Sequence, residues 1–181
     1  MKCTDILMEE HTIIMRALKV LEQMAARAQK NEPVEPADVE TLIGFLRVFG
    51  DDNHQTKEES ALFPELMRTA LANKGRLRQM TFEHDQERSM VEGLEDALRT
   101  KKGPDFVHFA TCLALMLRDH IHKEDTILFK IAQWSLSAEQ DEQITSELNK
   151  FQVDQNVFAD LDRLEKAYLA GAARAIGTKL R

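Results

Sequence analysis

The chain has 181 residues, 43% hydrophobic and 30% charged, an ordinary globular mix with enough apolar material for one core. Its 24 basic and 31 acidic residues leave a net charge of −7 with no dense Lys/Arg tract, which argues against nucleic acid as a partner. No stretch approaches the ~18 apolar residues of a membrane span, and Met1–Glu10 lacks the apolar run of a secretory leader. Two isolated cysteines, Cys3 and Cys112, make neither a disulfide framework nor a thiolate metal site, and they fit the reducing cytoplasm.

Only 7 Gly and 4 Pro interrupt the chain, so long helices are expected. Ile6, Leu7, Ile14, Leu18, Leu21 and Met24 recur at helical spacing and predict a helix from Thr4 to about Lys30. The Pro-containing segment 31–36 breaks it. A second stretch runs from Pro36 to about Asn73, with a bend or early break at Pro64, whose missing N–H disrupts an inner turn. Asn73-Lys74-Gly75 reads as a helix end. A third helix is expected over about 76–100, a second breaker at Lys101–Pro104, and a fourth helix over about 105–134. Ser137 is a plausible N-cap for a fifth helix reaching about Ala170, followed by a frayed tail from Gly171. No strand alternation persists. The expected architecture is all-α: an up-down four-helix bundle with one additional C-terminal helix, in one domain over residues 1–181.

An internal repeat carries the chemistry. The segment from His54 to Phe63 aligns with that from His120 to Phe129 in the pattern H-x-x-K-E-[ED]-[ST]-x-L-F. Each copy is preceded, one helix earlier, by a Glu-His pair: Glu10-His11 and Glu83-His84. Residues four apart share a helix face, so His54 points with Glu58 and His120 with Glu124. Counted from the helix ends, His11 and His54 lie at depths that agree to about 3 Å at 1.5 Å per residue, and His84 and His120 agree as well. The step from the second helix to the third matches only if Pro64 ends the second helix early. Antiparallel packing then directs His11, His54, Glu58, His84, His120 and Glu124 into one core. A buried carboxylate demands a positive partner. Four imidazoles and two carboxylates exceed one tetrahedral zinc and carry too much nitrogen for calcium or magnesium. They suit a pair of iron or manganese ions.

These motifs resemble the hemerythrin-like, HHE cation-binding family, from about Thr4 to Trp134. The resemblance implies a four-helix bundle around an oxo- or hydroxo-bridged non-haem di-iron centre, with Glu58 and Glu124 bridging and His11, His54, His84 and His120 as terminal ligands. It implies binding or sensing of O2, NO or a related small oxidant; the alternatives are a di-iron enzyme reducing peroxide or NO, and an iron-handling protein. A reductant or signalling partner would be a separate molecule. One position departs from the family pattern. Oxygen carriers have a second histidine one turn after the one matched by His84; this chain has Arg88. That position would be open, filled by water, or taken by Glu87 or Glu59.

Other residues have plainer readings. His122 and His108 read as surface or structural, and Lys57 and Lys123 as solvated charges, with a supporting role behind the ligands as the alternative. Glu59 and Asp125 read as solvated acids, with orientation of a ligand imidazole as the alternative. Met8, Met15, Met24, Met80, Met90 and Met116 read as core fillers, and Cys112 as a buried free thiol.

Overall fold

A computed structural model of the chain describes residues 1–69 and 74–170. The described residues form helices and connecting turns, with no strand. Helix α1 (Cys3–Gln29) is followed by α2 (Pro36–Phe45), which continues through π-helical turns at Leu46–Gln55 and Glu58–Leu62 into α3 (Phe63–Arg68). Helix α4 (Lys74–Arg99) is the third rod. Helix α5 (Gly103–Lys123), a π turn at Glu124–Leu128 and α6 (Phe129–Ser135) make the fourth. Helices α7 (Ala138–Leu148) and α8 (Asn156–Leu169) complete the chain. The connections after α1 and α4 are short and turn on residues with positive φ, Asn31 (58°) and Lys101 (56°), which sends neighbouring rods antiparallel.

The core is divided by depth. One apolar cluster includes Leu7, Leu62, Phe63, Leu66, Met80, Leu128 and Phe129. The other includes Ile14, Leu18, Leu21, Phe49, Val91, Leu113, Leu117 and Ile121. On every rod the predicted ligands fall between the two: His11 between Leu7 and Ile14, His54 between Phe49 and Leu62, His84 between Met80 and Val91. A polar layer thus crosses the bundle between two apolar plugs, and both plugs hold it out of water.

Several boundaries differ from the sequence reading. Pro64 does not end the second rod. It sits in the first turn of α3, where its missing N–H breaks no hydrogen bond, and the rod runs on to Arg68. The chain then turns extended at Thr69 (ψ 149°). Lys74 and Gly75 open α4 rather than ending a helix, while Asn73 and the tail from Gly171 lie outside the described residues. The single fifth helix is two. Ser137 does cap α7: its Oγ accepts from Gln140 N at 3.2 Å, and Gln140 Oε1 accepts from Ser137 N at 3.0 Å. The helix stops at Leu148, and a new one starts after Asp154, whose Oδ1 accepts from Asn156 N at 2.9 Å. The reversal lets α7 close one plug with Ile144 and Leu148 and α8 close the other with Leu161, Leu164 and Tyr168.

Helix α8 is pinned by polar contacts as well. Arg16 forks onto Glu165 (3.0 and 2.7 Å), and Tyr168 Oη donates to Asp38 at 3.0 Å. Leu164 is fully buried. Leu164→Ala is expected to lower stability by about 3 kcal/mol in urea unfolding of the full chain. A change below 1 kcal/mol would mean that α8 is not part of the cooperative core.

Candidate metal centre

Two groups of side chains converge in the polar layer. His11, His54, Glu58 and Glu124 each offer a donor atom, all within 4.8 Å of one another. Glu58, His84, His120 and Glu124 do the same. The groups share Glu58 and Glu124, so the six residues singled out from the sequence lie together as two overlapping sets. The halves match closely: ring centroids are 4.6 Å apart for His11 and His54, and 4.7 Å apart for His84 and His120.

Every imidazole is gripped on its outer nitrogen. His11 Nδ1 lies 2.7 Å from Asp125, His54 Nδ1 3.0 Å from Glu10, His84 Nδ1 2.7 Å from Glu59 and His120 Nδ1 2.9 Å from Glu83. A proton given to those carboxylates leaves the Nε2 lone pair facing inward, the tautomer that binds a metal. Facing His11 Nε2 at 3.3 Å is Glu124 Oε2, which is also 3.2 Å from His120 Nε2. Glu58 reaches His54 Nε2 at 3.6 Å and His84 Nε2 at 3.4 Å.

Each letter of the repeat now has a physical role. Its His and first Glu point into the centre. Its Lys holds the carboxylate that grips that His: Lys57 pairs with Glu10, and Lys123 with Glu83 at 2.5 Å. Its second acid grips the imidazole of another rod, so the consecutive pairs Glu58-Glu59 and Glu124-Asp125 hold His84 and His11 from both sides. The hydroxyl residue bonds back to the carbonyl four residues earlier, Ser60 to Thr56 and Thr126 to His122. The Leu enters the core, and the Phe stacks on the imidazole its acid grips: Phe63 on His84 (5.9 Å) and Phe129 on His11 (5.4 Å). A π turn follows the first Glu of the repeat in both copies, closed by Phe63 N to Glu58 O and by Phe129 N to Glu124 O. Pro64 does not cause it, since the second copy has Lys130 at the matching place.

These contacts decide between alternatives that the sequence left open. Lys57 is buried, 5% exposed, and Lys123, partly exposed, is paired with Glu83 and Asp119. Glu59 and Asp125, both partly exposed, follow the alternative reading and grip imidazoles. The detectable signal was the Lys kept three residues after the His in both copies. Elsewhere His108 and His122 are exposed, as read. Met24 and Met80 are core, while Met8 is exposed and Met15 and Met90 are partly buried. Cys112 is partly exposed and faces His108 (3.9 Å), not the centre.

The charge balance calls for cations. Glu58 and Glu124 are both 0% exposed, and their four oxygens have no hydrogen-bond partner among the described residues; nor has His11 Nε2. His84 Nε2 and His120 Nε2 face each other at 3.0 Å. Left to itself, such a layer takes up protons. Burial opposes the charged imidazole, yet Asp125 and Glu124 outweigh it and push His11 up to about 10. The same contest, won by Glu124, pushes His120 up to about 10; won by Glu58 and Glu59, it pushes His84 up to about 9. Burial would raise Glu124, but His120 and His11 hold it well below the usual carboxylate range. Orphaned carboxylate oxygens and inward Nε2 atoms in two sets fit a pair of nitrogen- and oxygen-seeking metal ions.

The family of the hemerythrin HHE cation binding domain matches residues 3–132. The chain belongs to this family. Among curated proteins, none matches it. Helices α7 and α8 lie beyond the HHE match and bring no residue to either donor set. Within the HHE region, Arg88 turns away from the centre, donating to Asp51 at 2.8 Å and Glu59 at 2.9 Å. Neither Glu59 nor Glu87 joins a donor set. Glu59 lies behind His84. Glu87 is buried and held up at about 7, chiefly by that burial.

Outer-nitrogen grips carry a testable magnitude. Glu83→Ala strips His120 and Lys123 of their shared partner. It is expected to weaken metal binding ~10–100-fold in chelator competition. Unchanged affinity would make Glu83 a structural acid only.

Proposed function

We propose that this HHE protein holds two iron ions and binds or senses a small oxidant at them, O2, NO or a related molecule. The observation that carries this reading is the pair of overlapping donor sets sharing two fully buried carboxylates. His11 and His54 would hold one ion, His84 and His120 the other, with Glu58 and Glu124 serving both. Manganese fits the same donors. Bound iron would supply electrons and a Lewis-acidic position for the ligand. The chain supplies the rest. Glu10, Glu59, Glu83 and Asp125 fix the imidazole tautomers, Phe63 and Phe129 shield two of the rings, and the two apolar plugs exclude bulk water. Four neutral nitrogen donors against two carboxylates favour reversible binding over oxidant activation, because few anionic ligands stabilise high-valent iron. Both cysteines are free, which fits a reducing compartment, the cytoplasm.

The test is metal analysis of protein made in iron-supplemented cells, with visible spectra recorded reduced, in air and then under argon. About two iron per chain and an air-induced band that reverses under argon are expected. Protein that carries no iron or manganese overturns the reading.

A further inference from the structure

Beside the centre lies a small cavity of about 30 Å³, lined by both His54 and His120 and so touching both donor sets. The internal repeat shows how it arises. Gly50, one turn before His54, lines it, and a Cβ built there would meet nothing within 4 Å. The matching residue in the second copy is Met116. The polar lining is equally one-sided. Gln55 and Glu87 line the cavity where the other half of the pseudo-symmetric bundle has Ile121 and Ile14, which line it too.

Gln55 Nε2 donates to Glu87 Oε2 at 2.5 Å. That leaves Gln55 Oε1 and Glu87 Oε1 buried with no hydrogen-bond partner among the described residues; the nearest charged neighbour of Glu87 Oε1 is His120 Nδ1 at 3.8 Å, whose proton goes to Glu83. Such orphans in an apolar cavity call for a ligand that completes them. A water needs ~10–15 Å³ of such space, so the room suits two heavy atoms. Gln55 Oε1 can only accept, so one of those atoms must carry a proton. Dioxygen and nitric oxide have none to give.

We infer that this cavity is a binding site for a small neutral hydroxylic molecule of two heavy atoms, hydrogen peroxide being the fitting case, held by Gln55 and Glu87 against the centre. This rests on the di-iron reading for its purpose but not for its geometry. The cavity also has Arg47, Asp51 and Arg88 in its lining, but these charges are paired, Arg88 with Asp51 and Arg47 with Glu95, so an anion would meet the orphan oxygens of Gln55 and Glu87 with no unpaired cation to offset them. A larger molecule is disfavoured by the small volume and by Ile14, Leu113 and Leu117, which are among the apolar residues lining it.

The experiment compares the iron-loaded full chain with two variants. Gln55→Met/Glu87→Met keeps the shape and removes both acceptors, a change that buried polar pairs tolerate. Gly50→Met copies the second repeat and fills the cavity. Stopped-flow oxidation of the reduced protein by hydrogen peroxide and by O2 gives a rate ratio. That ratio is expected to fall at least tenfold in the double variant, the loss of two hydrogen bonds, with iron content unchanged. Gly50→Met is expected to slow peroxide at least tenfold. A ratio unchanged in the double variant, or a Gly50→Met protein as fast as the parent, overturns the inference. A second readout needs no iron. A high-resolution crystal structure is expected to show two solvent atoms in the cavity, one within hydrogen-bonding distance of each orphan oxygen. A dry cavity overturns the inference whatever the iron content. The solvent pair in a chain that takes up no iron would uphold the site and overturn the di-iron reading.

Discussion

Glu124→Ala is expected to empty the whole centre, whereas His11→Ala should empty half of it. Glu124 belongs to both donor sets; His11 belongs to one. Removing the shared carboxylate takes a ligand from each ion and leaves four inward imidazoles with one fully buried counter-charge, Glu58. One carboxylate is then left to offset two dications in a buried layer, and each donor set is one ligand short. Metal analysis should therefore find under ~0.3 iron per chain for Glu124→Ala and about one for His11→Ala, against about two for the parent. Glu58→Ala should match Glu124→Ala. A Glu124→Ala protein that keeps two iron would show that the carboxylates are not shared. Circular dichroism separates metal loss from unfolding, because the two apolar plugs lie outside the substituted layer.

Metal uptake is expected to be strongly pH-dependent and to release protons. In the metal-free chain His11 and His120 are pushed up to about 10 and His84 to about 9. Raised imidazoles hold their protons at neutral pH, so an incoming ion must displace them. Affinity then rises with pH, by up to about tenfold per unit for each imidazole still protonated, and levels off as pH passes about 9–10. The sign reverses for the metal-free fold. Stability from the raised imidazoles is fully present below the ordinary histidine value of ~6.5 and is lost as pH climbs through 9–10. Isothermal titration at pH 7 in two buffers of different ionisation enthalpy measures the proton count. A pH-independent affinity with no proton release would mean that the imidazoles stand neutral in the metal-free chain.

Much of the centre was legible because its chemistry follows helical periodicity. A His and a Glu four residues apart must share a face, and doubling that pattern with a Glu-His pair before each copy left few arrangements other than one polar layer. The grips were harder to read. Glu59 and Asp125 sit beside an inward-pointing acid, where simple α-helical geometry turns them aside, and only the π turn after Glu58 and Glu124 accompanies their reach to another rod. Lys57 looked solvated because lysine usually is; its burial depends on Glu10, a residue 47 positions away. The cavity left no mark in the sequence either. Gly50 has meaning only beside Gln55, Glu87 and the walls contributed by α1, α4 and α5.

By itself the sequence determined the all-α class, the breaks between the first and second and between the third and fourth rods, the Ser137 cap, and which six side chains could meet in one layer. These follow from local rules: period, capping chemistry and side-chain type. Tertiary structure alone decided the rest. It divided the predicted fifth helix at Leu148, because one straight helix from Ser137 to Ala170 would run roughly 50 Å at 1.5 Å per residue and leave one end of the bundle uncovered. Folding back, α7 and α8 each cover an apolar plug. It also settled which carboxylate grips which imidazole, since those partners lie on different rods and nothing local selects among them.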